Sequence, residues 1–347
     1  MDIAIVILNW NGKDLLEQFL PSVVQFSDQA SIYVADNASE DDSVSFVKLR
    51  FPNVHIIRNN TNGGFAKGYN DALKKVNADI LCLLNNDVEV TQQWLKPIIE
   101  TFKREPDIAI IQPKILDHKQ KDHFEYAGAA GGFIDKYGFP YCRGRIFSTI
   151  EKDQGQYNDS SSIFWSSGAC FFIRKAIFDE LNGFDESFFA HMEEIDLCWR
   201  LQRMAYRIRF VPSSIVYHVG GATLQRGNPF KTYLNFRNNL LLLYKNLPAR
   251  KRGKILFIRM ILDGISALRF LLQGAFKDFW AVLRAHFAFY GMKSSYRGIK
   301  NLNKYKENSV IACGIYPGSI VQDFFLKNRK KFSDLDQSFL ARNKEQH

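Results

Sequence analysis

Apolar and polar positions come in alternating blocks over the first hundred residues. Ile3 to Leu8 is an apolar, β-branched run, the pattern of a strand covered on both faces. A helical segment follows from about Gly12, then the strand "SIYVAD" (Ser31 to Asp36), a polar helix after Asp41 and the strand "VHIIRN" (Val54 to Asn59). Another helix starts near Phe65, the run Ile80 to Leu84 forms a fourth strand, and a helix after Thr91 leads to "DIAIIQP" (Asp107 to Pro113). Strand alternating with helix predicts an α/β fold: a Rossmann-like, mostly parallel sheet with helices on both faces.

In such sheets ligands bind beyond the carboxyl ends of the strands. Here those ends carry Asn9-Trp10-Asn11, Asp36-Asn37, Asn59-Asn60 and Asn85-Asn86-Asp87. Four polar ends could line one crevice. "NGGFAKGYN" (Asn62 to Asn70) adds a glycine-rich turn into a helix, so Asn62, Gly63, Gly64 and Asn70 are candidates for close approach to a nucleotide. The spacing does not match GxGxxG, which argues against a dinucleotide.

From about Gly128 to Ser162 the periodicity dissolves, predicting loops and short strands, with a flap as one use for them. Order returns at "IFWSSGACFFIRKAIFDELNGFDESFF" (Ile163 to Phe189), read as strand, helix and a turn at Asn182-Gly183. A helix begins near Glu193, followed by "YRIRFVP" and "SIVYHVGG".

Composition alters this picture in one respect. Hydrophobic content of 46% and charged content of 24% are ordinary for a folded chain. The five cysteines (Cys82, Cys142, Cys170, Cys198, Cys313) form no CxxC pair, so a zinc site or disulfide framework is not indicated, and a reducing cytoplasm is the simplest setting. The net charge of +10, however, is unevenly spread. From Tyr244 onward there are 20 Lys and Arg against 7 Asp and Glu, a balance of +13, while the preceding residues balance at −3. The basic excess points to an anionic surface as partner of the last hundred residues.

Five segments, "VILNWNG", "VADNASEDDS", "NGGFAKGYN", "LLNNDVEV" and "HMEEIDLCWR", stand in the order and spacing of family 2 glycosyltransferases, the inverting class with the GT-A fold. The resemblance covers about the first 245 residues, and "NFRNNLLLLYKNLP" (Asn235 to Pro248) resembles the "RN" segment of rhamnosyltransferase-like members. It implies a 1–245 nucleotide-sugar transferase domain and a 246–347 basic helical domain. It places Asp36 at the nucleotide base, with Asn9, Trp10 and Asn37 in the same crevice. Asp87 falls at the second acidic place of the family's Asp-x-Asp metal motif, where Mg²⁺ or Mn²⁺ bridges the sugar diphosphate. Asn85 and Asn86 precede it, Glu89 is placed to assist, and His218 stands where some members add a ligand. "WSSGACFF" brings Ser167 and Gly168 near the sugar.

"HMEEIDLCWR" resembles the family's "EDxDLxxR". The reaction needs a base that deprotonates the attacking hydroxyl. Glu194 stands at that position, where the family usually has Asp, and Glu193 is the competing candidate. Clustered carboxylates raise one another's pKa, which suits a base. Asp196 and Arg200, at i and i+4, read as structural or as shaping the acceptor site.

The expected activity is transfer of a hexose or deoxyhexose, such as rhamnose, from a UDP- or dTDP-linked donor to a hydroxyl of a surface or cell-wall glycan, carried on a lipid; no nucleic-acid partner is expected. A sugar nucleotidyltransferase would need a basic glycine loop at the first strand, which is missing. A catalytically inactive, membrane-associated subunit that binds glycan or nucleotide sugar is the alternative of a different class. The long apolar stretch after Lys254 is interrupted by Arg259, Asp263 and Arg269, so it is not a plain membrane span. At 100° per residue, Arg259, Asp263, Ser266, Arg269, Gln273, Lys277 and Arg284 form one stripe. The helices are either packed in a core or interfacial, on the anionic inner face of a cell membrane.

Overall fold

Strand β1 (Ile3–Asn9) is flanked by β2 (Ser31–Asp36) and β4 (Ile80–Asn85), with β3 (His55–Arg58) beyond β2, all parallel. A computed structural model describes residues 1–220, 227–296 and 314–341; Cys313 lies outside them. Alternation along β1 explains how both faces are buried. Ala4 and Val6 join one apolar cluster with Tyr69 and Leu81, while Ile3, Ile5 and Ile7 join the other with Leu16, Leu20 and Val23. Helices α1 (Lys13–Phe26), α2 (Ser43–Arg50) and α3 (Gly64–Leu73) are the crossovers between these strands.

The sheet continues through β5 (Val88–Val90), helix α4 (Lys96–Arg104) and β6 (Ile108–Asp117). The region without periodicity forms β7 (Gly132–Asp135), β8 (Pro140–Cys142), β9 (Arg145–Ile146), β10 (Thr149–Ile150) and β11 (Ser161–Ser162). Then come β12 (Cys170–Arg174), α5 (Lys175–Glu180), α6 (Glu193–Gln202) and β13 (Arg207–His218). The main sheet runs β11-β13-β6-β12-β4-β1-β2-β3, with β5 paired to β13. Its β12 is antiparallel to both β4 and β6. The sheet is therefore mostly parallel, as the periodicity predicts, with an antiparallel wedge.

One local expectation changes, and the aperiodic segment forms the short strands it predicts. "YRIRFVP" and "SIVYHVGG" form one strand, β13, whose register against β6 shifts between Val211 and Ile215. Pro212 lies within that irregularity, where a missing N–H is tolerated. The segment from Gly128 is ordered into a second sheet, β10-β9-β8-β7-β14, whose last strand β14 (Ile315–Tyr316) comes from the far end of the chain. Helix α10 (Ile320–Phe325) and Phe332 follow it, and the Phe332 ring lies 5.1 Å from that of Phe133 and 6.1 Å from that of Tyr141. Residues 314–341 thus fold back on the first part of the chain.

Helix α7 (Pro229–Asn246) packs between α6 and the hairpin of α8 (Ala249–Leu272) and α9 (Phe276–Met292). This hairpin is inverted. The inward residues of α8 include Arg259 and Asp263, which pair at 2.7 Å, and Asp263 also meets His286 of α9 at 3.3 Å. The outward face carries Phe257, Ile261, Ile265, Leu268 and Leu272, and α9 adds Trp280 and Phe287. Leu272 is 80% exposed, Phe287 77% and Trp280 61%. The start of the polar stripe, Arg259 and Asp263, is thus turned into the protein and the apolar face away from it.

Replacing Phe332, 1% exposed, by Ala should remove the aromatic plug of the second sheet. A loss of about 3–5 kcal/mol is expected for a buried Phe, read as a lowered Tm and denaturant midpoint.

Candidate active site

The parallel register puts the polar strand ends in one row: Asn9 opposes Asp36, and Leu8 opposes Asn85. Asp36 is buried. Its Oδ2 accepts from the Ser39 N–H at 3.4 Å, and its Oδ1 has no hydrogen-bond partner among the described residues. A buried acceptor without a donor is costly. It borders a cavity of about 350 Å³ that is also lined by Ser39, Asp41, Lys48, Arg58 and Asn59. A ligand N–H is the missing donor.

The neighbouring amides are committed to the scaffold. Asn86 donates to Asn9 Oδ1 at 2.8 Å, tying β4 to β1. Asn37 donates to Asn62 Oδ1 at 2.9 Å and accepts from Asn59 at 3.1 Å, and Asn59 also donates to the Gly68 carbonyl. Asn70 binds both N–H and C=O of Phe184, each at 2.9 Å. Asn9, Asn37, Asn62, Asn70 and Asn86 therefore shape the crevice, while Trp10 stands exposed at its lip. Gly63 leads into Gly64, which has φ +77° and lies where an added Cβ would meet the ring and carbonyl of Phe189 at 2.6 Å. Ser167 is buried and accepts from the Ala169 N–H at 3.1 Å; Gly168 lies beneath the Phe65 ring. Buried Ser166, which the sequence reading passed over, has an unpartnered hydroxyl.

Asp87 is buried at the end of the β4 turn, with its Oδ1 3.1 Å from His218 Nε2. Asn85 Nδ2 is 3.4 Å from the same nitrogen. Glu125 Oε2 approaches His218 Nδ1 at 3.5 Å from the opposite side. Burial alone pulls His218 down, but Glu125 and Asp87 overcome it and raise it to about 10. Burial pushes Asp87 up, and His218 more than reverses this, so the carboxyl is held below its usual range. Glu89, expected beside Asp87, is turned away. It pairs with His118 at 3.1 Å and Lys121 at 2.9 Å: Asp87 lies in the turn before β5, where strand alternation does not apply, and Glu89 stands opposite Tyr217 in the strand itself. No group of three His, Cys, Asp or Glu side chains among the described residues is arranged to hold a metal. The donors that face each other are Asp87 and His218. Glu125 sits between β6 and the aperiodic region, where no periodic pattern marked it.

Helix α6 opens with Glu193 and Glu194, and each has one buried carboxylate oxygen without a partner among the described residues. For Glu193, burial, then Glu194 and Asp196, raise the pKa well above the usual carboxylate range. Burial raises Glu194 to about 7, against the backbone N–H groups of Glu194, Ile195 and Met192 at the helix start. Glu194 is the less buried side chain of the two, and it is the member of the pair that ionises near neutrality. Asp196 is fixed by Arg200 at 2.8 Å, Lys245 at 2.9 Å and Asn246 at 2.8 Å. Lys245 also reaches Asp185 at 2.5 Å. Asp196 and Arg200 are thus parts of a buried ion network joining α6 to α7.

A carboxylate-bordered cavity, an Asp–His pair and two buried glutamates thus stand on one mostly parallel α/β frame. The family model described as "Glycosyl transferase family 2" matches residues 4–181, and the chain belongs to that family. It is 25% identical to an N-acetylglucosaminyl-diphospho-decaprenol L-rhamnosyltransferase of Mycobacterium tuberculosis, over 62% of this chain and 75% of the relative. Among solved structures it resembles GalNAc-T7 with UDP, GalNAc and Mn²⁺ (TM-score 0.55, 17% identity, 70% of this chain and 47% of that one). It also resembles a Pyrobaculum calidifontis mannosyltransferase with GDP-Man and Mn²⁺ (TM-score 0.51, 13% identity, 99% and 86%). These likenesses show the GT-A fold.

Glu194 binds its proton more tightly folded than unfolded. Stability is therefore lost as pH rises from the ordinary glutamate range to about 7, and the loss is complete above it. Glu194→Gln should raise Tm at about pH 8, with the gain vanishing near pH 4, below the usual glutamate pKa. Thermal melts of both proteins at the two pH values check this.

Proposed function

We propose that the chain is an inverting, metal-dependent glycosyltransferase. It moves a hexose or deoxyhexose, rhamnose in the first instance, from a UDP- or dTDP-linked donor to a hydroxyl of a lipid-linked glycan. One observation carries this reading. Asp36, Asp87 with His218, and Glu193 with Glu194 are buried carboxylate centres on a single GT-A frame, three of them with an oxygen that lacks a donor. Asp36 takes the imide N–H of a uracil or thymine base. Glu194 removes the proton of the acceptor hydroxyl as that oxygen attacks the anomeric carbon. The bond from that carbon to the diphosphate breaks on the opposite face, so the configuration inverts. Glu193, protonated, leaves Glu194 as the ionising partner.

The Asp87 and His218 donors suit a divalent ion. A carboxylate oxygen and an imidazole nitrogen at 3.1 Å can share one ion once His218 releases the proton that Asp87 and Glu125 hold on it, and the mixed O/N set fits Mn²⁺ better than Mg²⁺. Glu125 behind His218 is the outer partner such a ligand ordinarily has. Bound there, the ion would neutralise charge on the leaving diphosphate.

The second part of the reading is a membrane surface. No helix of the described residues is long and apolar enough to cross a membrane. The α8–α9 hairpin instead offers an outward apolar face beside exposed Arg250, Lys251, Lys254 and Lys277, the composition of an interfacial element. Each basic residue near an anionic surface contributes about 1 kcal/mol. A lipid-carried acceptor is concentrated at the same surface, the inner face of the cell membrane.

Asp87→Asn should abolish Mn²⁺-dependent donor binding in calorimetry while the melting curve stays cooperative; unchanged donor affinity would contradict the metal role. Glu194→Gln should keep donor binding and lower kcat by about 10²–10⁴-fold, the usual worth of a general base. If Glu193→Gln alone gives that pattern, the base is Glu193. Slow metal-dependent donor hydrolysis by the wild type separates an enzyme from a binding subunit. Trp280→Glu and Leu272→Glu should release the protein from anionic vesicles in sedimentation, with donor hydrolysis unaffected. Sedimentation of neither the wild type nor the variants at low salt would rule out docking.

A further inference from the structure

The backbone just before Glu193 takes an unusual course. Phe189, His191 and Met192 have φ of 64°, 68° and 72°, three non-glycine residues in the left-handed region within four positions. Such residues persist only where the surroundings over-determine them, and they cluster at functional sites. Here the surroundings are helix α7 on one side and helix α3 on the other.

From α7, Arg237 Nη2 donates to the carbonyls of Ser187 at 3.1 Å and Phe188 at 3.0 Å. The Asn238 Nδ2 group donates to the carbonyls of Phe188 at 2.9 Å, Ala190 at 2.9 Å and His191 at 2.7 Å. Asn238 is fully buried. Its own carbonyl oxygen accepts from Arg237 Nε at 2.8 Å, which fixes the amide with its NH₂ toward the loop. From α3, the Ala66 N–H reaches the Phe189 carbonyl at 3.2 Å, and Gly64 leaves room for that residue. Four carbonyls of one loop point toward two side chains. Carbonyls converge in this way only against strong donors, and these donors serve the loop, not the packing of α7 on its neighbouring helices.

We propose that Arg237 and Asn238 are positioning residues of the transfer step: they hold loop 187–192 in its left-handed course and so set where Glu193 and Glu194 stand relative to the rest of the site. This rests on the reading of Glu194 as base. Neither residue touches the reacting atoms. Without the clamp the loop relaxes toward ordinary backbone angles, and the first turn of α6 moves with it. Lys245 and Asn246, about two turns further along α7, hold Asp196 of α6. The position of the base is thereby tied to α7 at two points.

The decisive variant is Asn238→Asp. It keeps the shape and the acceptor for Arg237, and replaces the donating amide by an oxygen that faces three carbonyls. Arg237→Met, at a half-buried position, is the milder second variant, and Arg237→Lys the conservative one. Donor affinity, Tm, kcat and the pH profile of kcat are measured for each, with Glu194→Gln alongside. Asn238→Asp and Arg237→Met should lower kcat by up to about 10²-fold, the effect of misplacing a catalytic group by an ångström. Affinity for the nucleotide should be unchanged, the acidic limb of the profile should move, and Arg237→Lys should recover part of the rate. If kcat falls only as far as the folded fraction falls, with the limb unmoved, the clamp is structural and the proposal fails. An inactive Glu194→Gln beside a fully active Asn238→Asp also overturns the clamp alone. Active Glu193→Gln and Glu194→Gln variants would overturn the base reading itself.

Discussion

Carboxylates kept from water without a full set of donors are the constraint on which this site rests. Asp36, Glu193 and Glu194 each hold a buried oxygen with no partner among the described residues. In a stable protein such groups are few, because each costs free energy that the rest of the structure must offset. Here the offset is visible in the scaffold around them. The asparagine ladder of Asn37, Asn59 and Asn62 locks the strand ends beside Asp36, and the Asp185–Lys245–Asp196–Arg200 network locks the helix that begins at the glutamates. Polar groups that look like ligands in the sequence turn out to be what holds the true candidates in place.

Helix α7 connects the two halves of the molecule's chemistry. One stretch of it fastens the loop before Glu193, and the next residue, Asn239, bonds the Gly138 carbonyl at 2.7 Å and meets Arg259 of α8. Thr232 reaches Asp278 of α9 at 2.6 Å. Arg259, Asp263 and His286 are turned inside and pair there, while large apolar side chains of the hairpin are left outside. That inversion is the opposite of what a hairpin buried in a soluble core would adopt.

Much of this was legible from the chain alone. Buried strands announce themselves by continuous apolar runs, so β1, β2, β4 and β6 and the polar row at their ends follow from periodicity. The order of five short motifs carried the family. Pairing partners were not legible. Whether Asn70 faces a nucleotide or Phe184 depends on a residue more than a hundred positions away, and the turn that holds Asp87 outside β5 decides that Glu89 leaves it for His118 and Lys121. The stripe on α8 was legible as a stripe, but not which way it turned, because amphipathicity gives two faces without saying which is covered. Arg237-Asn238-Asn239 within an apolar helix was the signal for the clamp: buried polar side chains in a leucine run need backbone partners. The return of residues 314–341 to the second sheet left no signal, since β14 has two residues and no period.

The central claim is that burial poises Glu194 to act as a base near neutrality. Infrared difference titration of the wild type against Glu194→Gln reads that carboxyl directly. A protonated-carboxyl band present only in the wild type, lost with a midpoint near pH 7 that matches the rise in kcat, is the result expected from the structure. A band lost in the ordinary glutamate range, about pH 4, while kcat still rises near neutrality, would contradict it.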